Sequence, residues 1–143
     1  PTAAPTIAAR SKISASTPRR TLFRLNDQLE PKNSASPFNY NWWPKNNETE
    51  WLQYTFDKPE KVREVQVYWF DDRPHGGCRI PASWKLLYKT GGKWKPVEGA
   101  SGYPVKKDAW NVVNFKPVTT SALRLQVQLP ENHSTGVVEW IVK

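Results

Sequence analysis

Hydrophobic and polar residues alternate along five short stretches of this chain: Trp51–Phe56, Val65–Phe70, Trp84–Tyr88, Leu123–Leu129 and Val137–Val142. In the clearest of them, Leu123, Leu125, Val127 and Leu129 share one side, and Arg124, Gln126 and Gln128 the other. That is the period of a strand with one wet face. No window of comparable length carries a helical stripe. Turn chemistry punctuates the pattern. Lys89-Thr-Gly-Gly92 predicts a hairpin joining Trp84–Tyr88 to Trp94–Val97. Asp57-Lys-Pro-Glu60 and Lys116–Ser121 read as further turns, and Ser11–Ser16 as a short first strand. The pattern predicts an all-β fold, an antiparallel β-sandwich, a scaffold that presents ligands to its loops.

Between the strands lie four loops of note. Residues 26–44 are irregular and hold Phe38, Tyr40, Trp42 and Trp43, and long ordered loops are usually functional. Asp71–Pro81 carries Gly76-Gly77, Gly99–Asp108 carries Tyr103, and Pro130–Gly136 precedes the last strand. Residues 1–9 are Pro-, Thr- and Ala-rich without a period, as a linker remnant would be, which leaves 10–143 as one domain.

Composition narrows the function. A chain of 143 residues supports a single core without a staple. Eight Trp, five Tyr and five Phe are too many for that core, so some rings must plug edges or stack on ligands at the surface. The net charge of +8 admits nucleic acid, an anionic polysaccharide or an anionic membrane surface. The basic residues are scattered, however, with no run of five, which argues against nucleic acid. Cys78 is the single cysteine, so no internal disulfide forms, and a buried thiol is the expected state. Nothing approaches 18 consecutive apolar residues, so no membrane span is predicted. The absence of Met suggests a mature or excised piece of something longer.

Two kinds of site chemistry stand out. Asp27 opens the first long loop among Asn26, Gln28 and Ser34, and Glu139 is a lone acid between Val138 and Trp140. A carboxylate there is costly unless paired or coordinated. A Ca²⁺ ion held by Asp27 and Glu139 would meet that need, because irregular loops supply hard oxygens. A salt bridge from Glu139 to Arg24 or Lys12 would meet it equally. Sugar recognition needs a ring face and planar polar groups. Trp42 and Trp43 on the first loop, Asp71, Asp72, His75 and Arg79 on the second, and Asn132 and His133 on the fourth supply them. Either Trp could instead plug the sandwich edge, and Arg79 could pair with the aspartates structurally. Asp71, Asp72 or Glu139 could in principle pair as catalytic carboxylates, but a small sandwich offers little depth to raise one carboxyl pKa.

The order of segments resembles a known family. Leu25-Asn-Asp-Gln28, Trp42-Trp43, Thr49–Phe56, Val65–Trp69, Ser83–Tyr88, Ala122–Val127 and Val138–Val142 together resemble the discoidin or coagulation factor 5/8 type C domain family. Within it, Trp69-Phe-Asp-Asp72, Gly76-Gly77, Arg79-Ile-Pro81 and Ser83-Trp84 are similar to family 32-type carbohydrate-binding modules at the ends of bacterial glycoside hydrolases. The resemblance implies an eight-stranded jelly roll of the galactose-binding type. It implies a structural calcium at Asp27 and Glu139, with Ser34 completing the shell, although Gln28 stands where the family often has Gly. It implies sugar contacts from Trp43, His75, Arg79 and Asn132, with Asp71 accepting from or orienting Arg79. The expected function is a non-catalytic, monomeric module, secreted or periplasmic, that holds a catalytic domain of the same chain close to a glycan. One alternative is a structural sandwich that buttresses a catalytic neighbour without binding sugar. Another is binding to an acidic polysaccharide or phospholipid surface through net charge.

Overall fold

A computed structural model describes residues 6–143. Seven strands and a 3-10 helix over Arg20–Asn26 make up the regular structure. The strands are β1 (Lys12–Ala15), β2 (Tyr40–Asn41), β3 (Thr49–Phe70), β4 (Ser83–Thr90), β5 (Lys93–Pro96), β6 (Trp110–Gln128) and β7 (Gly136–Val142). The named ladders are all antiparallel. No helix among the described residues is long and apolar enough to cross a membrane.

β3 and β6, at 22 and 19 residues, run far beyond the stretches the alternation predicts because each serves both layers of the sandwich. The first half of β3 pairs with β1 and with the second half of β6, which in turn pairs with β4 and through it β5. The second half of β3 pairs with β7, which carries β2, and with the first half of β6. At the crossover the register slips: Thr55 opposes Ala122, and Glu60 opposes Thr120. Asp57–Glu60 and Lys116–Ser121 are therefore bulged bends within continuous strands, not the separate turns read from the sequence. Pro59 and Pro117 fall where the ladder is interrupted, the place a residue without an N–H is tolerated. Seven strands stand among the described residues where the resemblance implies eight.

The layers meet through large rings. Tyr54 of the first layer stacks on Trp140 of the second, with centroids 3.8 Å apart, and Trp69 meets Trp84 edge to face at 5.3 Å. Leu52, Leu123, Leu125, Val65, Val67 and Val113 fill the space between them, all fully buried. The predicted hairpin turn is present, with Gly91 and Gly92 both at positive φ, as a two-residue turn of this hand requires. Of the stretch whose composition suggested a linker, residues 1–5 lie outside the described residues. Ala8 is buried, and its carbonyl accepts from the Asn26 side chain.

Candidate functional site: a loop rim and a buried acidic pair

One rim of the sandwich is built by three loops. β2 hydrogen-bonds to β7, and the chain beyond it stays alongside, since Trp42 N–H donates to the Thr135 carbonyl. The Asp71–Pro81 loop closes on the other side: Arg79 N–H donates to Ser134 O, and Ser134 N–H to Gly77 O. These few bonds set the fate of two adjacent identical residues. Trp42 is fully buried against Tyr40, whereas Trp43 is 58% exposed. The Trp43 N–H donates to Asn41 Oδ1, and its carbonyl accepts from Arg19.

Trp43, Asp72, His75, Gly76 and Gly77 line one shallow depression of about 500 Å³, with Asn41 and Phe70 at its floor. The glycines are needed for close approach. A Cβ on Gly77 would meet the Trp43 indole at 2.7 Å, and one on Gly76 would overlap the Asp72 carboxylate. Asp72 Oδ1 accepts from Cys78 N–H, which aims that carboxylate across the loop. The depression thus offers a flat apolar ring, a carboxylate acceptor and an imidazole around an open surface.

Other predicted residues stand differently. Asp71 lies fully buried, outside the lining of the depression, and Arg73, not Arg79, is its partner. It accepts from Arg73 N–H, Arg73 Nε, Arg73 Nη2 and Ile80 N–H. Burial alone would raise this carboxyl, but the guanidinium and the two backbone donors outweigh it and hold it below the usual carboxylate range. Arg79 is oriented by the carbonyls of Gly76 and Cys78, with Asp72 3.7 Å away. Asn132 is exposed on the loop between Pro130 and Thr135, outside the lining of the depression. Cys78 is buried, and loss of water pushes its thiol up to about 12, so it is chemically quiet. The parts that sequence reading missed are Asn41 and the Asp71–Arg73 lock. An Asx turn two residues long was the available signal for the lock.

The second feature joins the end of the 3-10 helix to β7. Glu139 is 3% exposed, and its Oε2 accepts from Gln28 N–H while Oε1 has no hydrogen-bond partner among the described residues. Burial, and then the neighbouring Asp27 carboxylate, push the Glu139 carboxyl up to about 9. Gln28 holds φ +61°, the left-handed conformation that glycine adopts freely, so the departure from the family residue leaves the backbone shape intact. The salt-bridge alternative is not what the fold builds. Arg24 donates to Pro37 O and lies over Phe23 and Phe38. Ser34 is engaged elsewhere: its hydroxyl accepts from Asp108 N–H, and its own N–H donates to Asp108 Oδ1.

Comparison with known proteins places this geometry. A model of the F5/8 type C domain matches residues 8–141. The chain belongs to that family. Among solved structures, the fold is similar to part of the Streptococcus pneumoniae β-galactosidase BgaA, at TM-score 0.78 and 19% identity over 92% of this chain and 90% of that one. It is similar to the family 32 carbohydrate-binding module of Clostridium perfringens NanJ in complex with galactose, at TM-score 0.69 and 13% identity, covering 95% of each. A further C. perfringens family 32 module, in complex with GalNAc-β-1,3-galactose, matches at TM-score 0.70 and 8% identity over 95% of this chain and 96% of that one. These neighbours share the fold.

Proposed function

We propose that this F5/8 type C domain is a non-catalytic carbohydrate-binding module that holds a secreted or periplasmic glycoside hydrolase on its glycan. The observation that carries this reading is Trp43, a large ring left 58% exposed beside Asp72 and His75 at a loop rim. Exposing such a ring costs hydrophobic free energy that a sugar's C–H face recovers by stacking. Asp72 accepts from hydroxyls, His75 lines the same depression, Asn132 stands exposed on the neighbouring loop, and Arg79 stiffens the Asp71–Pro81 loop through the Gly76 and Cys78 carbonyls. The sugars named with the structural neighbours make galactose and GalNAc-terminated oligosaccharides the first ligands to try. A site this open loses little water on binding, so a single contact is weak and tethering supplies the gain. NMR titration with a glycan panel, galactose and GalNAc included, tests the proposal. Shifts in the Trp43 indole that vanish in Trp43→Ala, with unfolding unchanged within about 0.5 kcal/mol, are expected. Silence against every glycan rules it out.

A structural calcium is the second part of the same reading. What supports it is a buried carboxylate oxygen without a hydrogen-bond partner, a second carboxylate beside it and no ion pair on either acid among the described residues. Asp27 and Glu139 would hold the ion, which supplies positive charge between two acids and so ties the first loop to β7.

A further inference from the structure

The outer face of the first layer carries chemistry that the loop rim does not use. The guanidinium of Arg124 lies between two indoles, 3.9 Å from the Trp51 centroid and 4.3 Å from that of Trp94. Its Nε donates to Gln53 Oε1 at 2.9 Å, which fixes the plane. Register explains the assembly: Gln53 opposes Arg124, Trp51 sits one outward position before it, and Trp94 opposes Lys89 two strands away. Beside the stack runs a groove of about 250 Å³ lined by Thr49, Ser83, Lys85, Gln126 and Gln128.

Outward positions on this layer include Lys12, Lys85, Lys89 and Arg124 but no aspartate or glutamate. None of the four cations has a carboxylate within 4.0 Å among the described residues. Glu50, the acid on this part of β3, points inward and is spent on Ser16, Thr17 and Lys45. A one-sign face with low, flat relief suits a polyanion. Gln53 and Gln128 are engaged at both amide ends within the fold, whereas the Gln126 amide has no partner among the described residues and can donate and accept, which matches hydroxyls; phosphates only accept.

We infer that this sheet face is a second binding surface, independent of the loop rim, for a carboxylate-bearing polysaccharide of the polyuronate class. Arg124, held planar by its two rings, presents its free N–H groups to a carboxylate as a bidentate fork. Lys85 pairs the next carboxylate, Gln126 takes the hydroxyls, and the open parts of Trp51 and Trp94 stack on sugar rings. The strands are rigid, so the surface is preorganised and binding orders few side chains.

Affinity electrophoresis and calorimetry of the intact domain with polygalacturonate, alginate and fully methyl-esterified polygalacturonate test this. Retention by the two polyuronates, loss with the ester, and weakening as salt rises past about 0.15 M are expected. Arg124→Gln should weaken polygalacturonate binding at least about tenfold and Lys85→Glu by a similar factor, whereas Lys106→Gln, which lies off this face, changes it less than about twofold. Should Arg124→Gln not fold, Lys85→Glu carries the test alone. Trp43→Ala must leave polyuronate binding intact while removing neutral-sugar binding, so failure of one site is seen apart from failure of the other. Equal binding of the ester, no polyuronate binding, parity between Arg124→Gln and Lys106→Gln, or preference for oligothymidine or phosphatidylserine vesicles would each overturn the inference.

Discussion

Asp71 and Glu139 are both buried carboxylates, and the protein treats them oppositely. Asp71, fully buried, receives four hydrogen bonds from Arg73 and Ile80 and is held ionised. Glu139, 3% exposed, receives one, from Gln28, and faces a second acid. A buried charge is tolerated only when its lone pairs are met. The first site is therefore complete in itself and shapes the loop that carries Asp72, His75 and Arg79. The second leaves one buried oxygen without a hydrogen-bond partner among the described residues, and the proposed calcium would act there.

The largest effect should come from breaking the complete site. Asp71→Ala strands the Ile80 and Arg73 donors and should cost about 3 kcal/mol in urea unfolding; a loss under about 1 kcal/mol would show that the lock is dispensable. Next in size is completing the incomplete one. Free calcium at about 100 times its Kd should add about 2.7 kcal/mol, read as a rise in Tm, and Glu139→Gln should abolish that rise. An unchanged wild-type Tm across millimolar calcium would exclude the metal.

A third contrast uses pH. The folded Asp71 pKa is depressed, so its contribution is present above the unfolded value of about 3.9 and is lost as pH falls through the folded value. The stability gap between the wild type and Asp71→Asn should be constant from about pH 5 to 7 and shrink below about pH 4. A gap that persists under acid would remove the electrostatic account. The smallest effect concerns the backbone under Glu139. Gln28→Gly relieves a left-handed strain of about 1–2 kcal/mol but adds about 0.5–1 kcal/mol of unfolded-chain entropy, for a net gain near 0.5 kcal/mol in thermal unfolding.

The fold was legible because side-chain period and burial are the same information in a strand. Leu123, Leu125 and Val127 are buried where the alternation puts them, and Trp51 and Arg124 stand on the outer side. The single 22-residue β3 was not legible, since a bulge between layers and a turn between strands use the same residues, Asp57 to Glu60. In the loop rim, the segments were legible but their members were not. Trp43 emerged and its twin Trp42 was buried; Asp72 reached the surface and Asp71 did not; Arg73 took the partner expected for Arg79.

What the sequence determined by itself was the two-layer β framework and the loop segments that carry the aromatic and polar groups. Periodicity and turn chemistry are local properties, so a linear string records them. Only the tertiary structure decided which of two neighbouring residues faces water, and that an outward Trp from β3 and another from β5 would close around one arginine of β6. Those choices depend on register between strands far apart in the chain, where a shift of one residue exchanges the faces.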